Sequence, residues 1–308
     1  MISKTQSAVS VLIPAYNVAC FLQSALASIA AQSTDDWELI VVEDGTDDGT
    51  RALVSEFAIR HQKHRIVYDR FQNHRGVAAA RNRLLDLCQG EIVAFLDADD
   101  QWEPEHLFNL KKKLGEGHVL ACSPIRIWDG VSGKQLRVYE PTPTQLDHPC
   151  LGLFKSSFIQ TSSCVAIPRI TIERVGRFDE SLKIGEDRDY WFRVLLGGGT
   201  LGCTSTPTCR YFKHPGNSMA NTIVVAEQTV QFYEKHRDSN CLPKWLARRC
   251  LADALRTHGR LYRREDARVA RKMFLRAWKM WPLGLDLPIR ACSACCLKSK
   301  WRREVKKE

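Results

Sequence analysis

Four short apolar runs, separated by stretches of helical period, pattern the first hundred residues. Residues 9–14 (VSVLIP), 38–43 (ELIVVE), 65–69 (RIVYD) and 91–96 (EIVAFL) are β-branched and apolar over most of their length. Between them, residues 18–32 place Phe21, Leu22, Ala25, Leu26 and Ile29 on one helical face, and residues 51–61 and 76–88 repeat that spacing. Gly90 follows the third helical stretch in the position of a C-cap. Apolar strands alternating with helices predict an α/β fold, a mostly parallel central sheet with helices on both faces. Ligands of such sheets bind beyond the carboxyl ends of the strands. Three turns meet that edge: residues 14–17 (PAYN), 43–50 (EDGTDDGT) and 97–104 (DADDQWEP).

Further along, residues 118–129 and 134–140 read as strands and 141–150 as a loop. Residues 151–194 mix short strands with a helix around IGEDRDYWFRVL, where Tyr190, Trp191 and Val194 form an apolar face. Past Pro243 the pattern becomes helical and basic. The reading is therefore two domains, residues 1–242 and a basic helical C-terminal extension over 243–308.

Charge sharpens that division. Of the chain's net +10, residues 243–308 hold 19 Lys+Arg against 6 Asp+Glu, which is +13, so residues 1–242 carry −3. The extension also carries Trp245, Phe274, Trp278, Trp281 and Trp301. Basic and aromatic residues together suit a peripheral contact with an anionic membrane. No apolar stretch reaches the length of about 18 residues that a spanning helix needs. The N-terminal residues lack the apolar core of a secretory signal. The expectation is a cytoplasmic protein at the inner face of the cytoplasmic membrane, its 12 cysteines free thiols. Cys292, Cys295 and Cys296 have no second Cys/His pair at zinc-finger spacing.

Asp97, Asp99 and Asp100 close the fourth apolar run. Carboxylates this crowded repel one another unless a cation sits among them. A divalent cation shared with phosphate oxygens would offset that charge and the charge that develops on a departing diphosphate. In GEDRDYWFRV, a carboxylate within reach of a hydroxyl could take its proton. A pair of acids favoured by a helix N-terminus is the simpler alternative.

Taken in order, VSVLIPAYN, LIVVEDGTDDGT, RGVAAARN, FLDADDQWEP and GEDRDYWFR resemble the signature blocks of family 2 inverting glycosyltransferases. The resemblance spans roughly residues 8–220. It implies a GT-A type, Rossmann-like fold and transfer of a sugar from a nucleotide-sugar to a glycan or lipid-linked acceptor, as in cell-surface polysaccharide synthesis. It implies that Asp187 is the catalytic base and that Glu186 lies on the acceptor side. Asp99 becomes the ligand of Mn²⁺ or Mg²⁺, with His214 as a second contact to metal or diphosphate. Pro14, Ala15, Tyr16, Asp44, Arg81 and Asp97 become donor-binding residues. Asp44 would accept the N3–H of uracil, which favours UDP and leaves dTDP and GDP open. Phe212 stands where related enzymes often have an Arg two positions before the His, a departure that weakens the role of His214. Asp100 is read as a cap of the helix near Pro104, Asp47 and Asp48 as helix-start residues, and Trp102 as packing.

Two enzymatic or binding rivals and one nucleic-acid reading compete. A nucleotidyltransferase needs positive charge near its first loop, yet residues 14–38 contain no Lys or Arg. A non-catalytic sugar-nucleotide or glycan binder has no use for both Asp99 and Asp187. A nucleic-acid partner is disfavoured because acidic turns at the strand ends would repel its phosphates.

Overall fold

Strand and helix alternate from the start of the chain: β1 (Val9–Ala15), α1 (Ala19–Ala30), β2 (Trp37–Asp44), α2 (Thr50–Arg60), β3 (Ile66–Phe71), α3 (Val77–Leu87) and β4 (Ile92–Phe95). The computed structural model describes residues 8–214 and 222–282. After β4 come β5 (Gln101–Trp102), α4 (His106–Gly115), β6 (Leu120–Cys122), β7 (Ile125–Asp129), β8 (Gln135–Tyr139), α5 (Pro143–Asp147) and α6 (Pro149–Lys155). A 3-10 turn at Ser162–Cys164 leads into β9 (Val165–Pro168), α7 (Arg169–Val175), α8 (Glu186–Leu196), β10 (Leu201–Cys203) and β11 (Cys209–Lys213).

Seven strands form the central sheet in the order β10-β6-β9-β4-β1-β2-β3. It is mostly parallel, as the continuous apolar strands require; β9 alone runs antiparallel to its neighbours β4 and β6. Every residue of β2 is buried, including Glu38, Glu43 and Asp44. On α1 the expected face is buried at Leu22, Ala25, Leu26 and Ile29. A smaller sheet, β5-β11-β7-β8, stands apart from the first. It is built largely from two-stranded pairings across more than 80 residues, such as Cys209 on Ile125, which no local pattern announces.

Gly90 does not cap α3. The helix ends at Leu87, and its C-cap residue Cys88 is extended. Gly90 instead lies against β1, where an added Cβ would meet Ser10 N at 2.7 Å. Its N–H donates to Ser10 Oγ at 2.8 Å and to Glu38 Oε1 at 3.0 Å. Glu38 also pairs with Arg65 and accepts the Gln89 N–H, so its buried charge is fully partnered.

The chain divides into two compact units, Met1–Asn217 and Ser218–Glu308, rather than at residues 242 and 243. The second unit takes in α9 (Thr222–His236) with α10 (Lys244–Tyr262) and α11 (Ala267–Met280), because α9 packs on α10. Gly259 of α10 lets α11 approach closely: a Cβ there would lie 3.1 Å from the Phe274 ring. Among the described residues, no helix is long and apolar enough to cross a membrane.

Gly90→Ala should destabilise the first unit by about 1–3 kcal/mol, because backbone of β1 must move to admit the methyl group. Urea unfolding followed by tryptophan fluorescence measures this directly.

Candidate active site

At the carboxyl edge of the sheet, Asp44 ends β2 and turns its carboxylate inward. It accepts the N–H of Arg75 at 2.7 Å and of Gly76 at 2.8 Å, and His74 Nδ1 lies 2.9 Å away. Gly76 is the N-cap of α3, so Asp44 anchors the start of that helix. Gly45 makes the clamp possible. It has φ of +75°, and a Cβ on it would meet His74 N at 2.2 Å. Tyr16, half exposed at the end of β1, packs its ring 4.2 Å from that of His74. Ala15 is buried, so it can meet a ligand only through its backbone, and Pro14 is half-buried.

Asp48 joins two helix starts. Its carboxylate accepts from Thr50 N–H and from Ala19 N–H, each at 3.0 Å. Burial works to raise its pKa, but those backbone N–H groups prevail and hold it below the usual carboxylate value.

Arg81 is the central surprise. Its guanidinium does not face solvent: it is 4% exposed and lies between two carboxylates. One terminal nitrogen donates to Asp97 Oδ1 at 2.8 Å and the other to Glu186. The neighbouring Asn82 donates to Phe178 O at 3.0 Å and accepts the Phe178 N–H at 2.8 Å, which ties the segment before α8 to α3. Under α8, Phe178 stacks on Tyr190 at 4.0 Å and Phe95 packs edge-on to Trp191 at 5.2 Å. The predicted apolar face of α8 is thus buried in an aromatic cluster that fixes the helix's N-terminus.

That N-terminus carries Glu186 and Asp187. Burial pushes Glu186 up to about 7, against the pull of Arg81, and raises Asp187 as well. Arg188 orients the turn through Leu153 O and Phe154 O at 2.9 and 2.7 Å.

The three aspartates after β4 have three different environments. Asp97 pairs with Arg81, and its N–H donates to Ser163 Oγ at 3.0 Å. Asp99 is partly exposed, with His214 Nε2 2.9 Å from its Oδ2. Asp100 is 1% exposed and caps no helix; Glu105 holds the N-cap of α4, with no side-chain hydrogen bond. Asp100 instead accepts from the hydroxyls of Ser163 and Thr161 at 2.5 and 2.9 Å and from Phe212 N–H at 3.2 Å. It straps the aspartate turn to the 3-10 turn and to β11. Trp102 is buried and donates to Ser163 O at 2.6 Å.

Burial first, then the charge on Asp97, raises the pKa of Asp99. The phenol of Tyr211, on β11, is pushed up to about 12 by burial and by the charges of Asp100, Asp99, Asp97 and Asp187. Negative charge therefore accumulates at one place and invites a cation. Among the described residues, no three His, Cys, Asp or Glu side chains form a metal cage. Asp99 and His214 do form a pair with an oxygen and a nitrogen 2.9 Å apart. One carboxylate plus substrate phosphates and water is a common ligand set for Mg²⁺, and the oxygen-rich turn fits such an ion.

Tyr211, Thr161, Ser163, Asn82 and Phe178 were not singled out by the sequence. Asn82, beside Arg81, carried the nearest available signal. The serine-threonine run from 161 to 163 carries none, because its partners lie more than 60 residues away.

With this geometry in view, comparison with known proteins adds the following. The profile of "Glycosyl transferase family 2" matches residues 10–174, more than half of the chain. TuaG of Bacillus subtilis, named as a teichuronic acid biosynthesis glycosyltransferase, is 37% identical over 99 residues, 32% of this chain and 38% of TuaG. WfgD of Escherichia coli, a UDP-Glc:alpha-D-GlcNAc-diphosphoundecaprenol beta-1,3-glucosyltransferase, is 36% identical over 30% of this chain and 36% of its own. The matches span 38 to 61% of the length of the first three curated relatives. The crystal structure of S. aureus TarS 1–349 in complex with UDP-GlcNAc aligns with a TM-score of 0.68 at 18% identity, over 96% of this chain and 92% of that one. That likeness establishes a shared fold.

Removing the cation between the buried Glu186 and the part-buried Asp97 is costly. Arg81→Met should lower the unfolding free energy by about 3–5 kcal/mol, read from chemical denaturation. Glu186 binds its proton more tightly folded than unfolded, with a pKa raised from 4.5 to about 7. Stability should therefore fall as pH rises between those values. Glu186→Gln should flatten that slope in denaturation midpoints recorded across the same range.

Proposed function

We propose that this chain, which belongs to glycosyl transferase family 2 and has the GT-A fold, transfers a sugar from a nucleotide-sugar to an acceptor hydroxyl with inversion at the anomeric carbon. The donor is a UDP-sugar, and the reaction serves the synthesis of cell-surface polysaccharide. The observation that carries the reading is the ion-paired group Asp97–Arg81–Glu186, which holds the aspartate turn and the start of α8 in one cluster. Asp187, next along α8, would act on an acceptor beside the donor.

In this mechanism Asp187 accepts the proton of the acceptor hydroxyl as its oxygen bonds to the anomeric carbon. The bond from that carbon to the diphosphate breaks, and the nucleoside diphosphate leaves with the electron pair. Burial raises the pKa of Asp187 and makes it a stronger base than an exposed aspartate. Asp99 and His214 would hold Mn²⁺ or Mg²⁺, which supplies charge neutralisation for the departing diphosphate. Tyr16, Pro14 and the backbone of Ala15 line the nucleoside side, with Asp44 holding the loop beneath it and keeping lone-pair capacity for one further donor. Arg81 serves the donor through Asp97. The name of WfgD supports a lipid-linked acceptor, and the basic extension supports a peripheral contact with an anionic membrane at the cytoplasmic face.

Incubation with UDP-, GDP- and dTDP-sugars and Mn²⁺, followed by measurement of released nucleotide, tests the reading. Release from a UDP-sugar that stops in EDTA is expected; no release from any donor would refute it. Asp187→Asn should cut transfer by ~10²–10⁴ while calorimetry shows UDP affinity unchanged, because the base acts on the acceptor.

A further inference from the structure

The two faces of α11 differ in chemistry. Ala270, Phe274 and Ala277 are buried, and the helix packs on α10 through them. The opposite face, at steps of three and four residues, presents Arg268, Arg271, Lys272, Leu275, Trp278 and Lys279. Leu275 and Trp278 are 43% and 45% exposed. The helix holds five basic residues and no acid. Arg276 is neutralised by Glu234 of α9, whereas among the described residues the other four cations make no ion pair.

We infer that this face of α11 is the docking surface for an anionic phospholipid bilayer, with Leu275 and Trp278 entering the headgroup zone between cations that meet lipid phosphates. The inference deepens the membrane contact read for the extension as a whole and rests on it, assigning that contact to one helix face. Charge complementarity selects an anionic surface. The apolar pair selects lipid over nucleic acid: a phosphate backbone is met by cations alone, while leucine and tryptophan set among them gain by leaving water at an interface. Phe274 and Trp278, four residues apart, show the division of labour, one ring buried in the helical unit and the other left outside it. Trp281 is half-buried, and Trp301 lies outside the described residues. Trp245, 54% exposed on α10, serves as an internal control because it belongs to another helix.

The test is co-sedimentation of the full chain with vesicles of phosphatidylglycerol and phosphatidylcholine, against vesicles of phosphatidylcholine alone. The wild-type protein should bind the anionic vesicles and release them at high salt. Each engaged cation contributes roughly fivefold to partitioning, so Arg271→Glu/Lys272→Glu should weaken binding by at least ~25-fold. Leu275→Ser/Trp278→Ser should weaken it at least about tenfold, and Trp245→Ser should leave it unchanged. All substituted positions are exposed, and overlaid thermal melts establish that the fold is kept. Vesicle binding by both α11 variants equal to wild type would move the contact elsewhere and overturn the assignment. So would a wild type that ignores anionic vesicles or binds RNA in their place. Nucleotide release from a UDP-sugar is measured in parallel without vesicles. Its absence from a wild type that still binds vesicles refutes the catalytic reading alone.

Discussion

A buried guanidinium between two carboxylates is the constraint on which the site depends. Arg81 leaves water and is 4% exposed, a position tolerable only with Asp97 and Glu186 as partners. Those partners come from the end of β4 and the start of α8, which the chain separates by nearly 90 residues. The arginine thus does for the fold what a metal does in smaller sites: it collects acidic groups that would otherwise repel. Asp97, Asp99, Asp100, Glu186 and Asp187 can lie near one another because part of their charge is already met from within the protein.

The remaining charge has graded environments. Asp100 is tied off by two hydroxyls and a backbone N–H, so its role is to hold the turn. Asp99 is partly exposed beside His214. Asp187 is raised by burial but keeps part of its surface. Three acids close in sequence thus have three surroundings: hydroxyls and a backbone N–H around Asp100, an imidazole beside Asp99 and a guanidinium on Asp97. Asp44 completes the frame from the other side. By anchoring Arg75 and Gly76 it sets where α3 begins, and hence where Arg81 reaches.

Much of this was legible in the chain itself. Continuous apolar strands alternating with amphipathic helices specify a covered, mostly parallel sheet, because such strands have no face to give to water. The turns that follow those strands hold the candidate chemistry for the same topological reason. The +13 of residues 243–308 against the −3 of residues 1–242 is also a property of the sequence alone. What required the tertiary structure was partnership. Gly90 had the spacing of a helix cap, yet close approach to Ser10 explains it. Asp100 had the position of an N-cap, yet it is buried against Thr161 and Ser163. Arg81 lies on an amphipathic helix that said nothing of Glu186, and Phe274 and Trp278 share one helical pattern although only one is buried. Periodicity reports which face of an element is apolar, because that depends on residues three or four apart. Which acid meets which cation depends on groups more than a hundred residues away, as with Arg81 and Glu186, and only the folded chain brings those together.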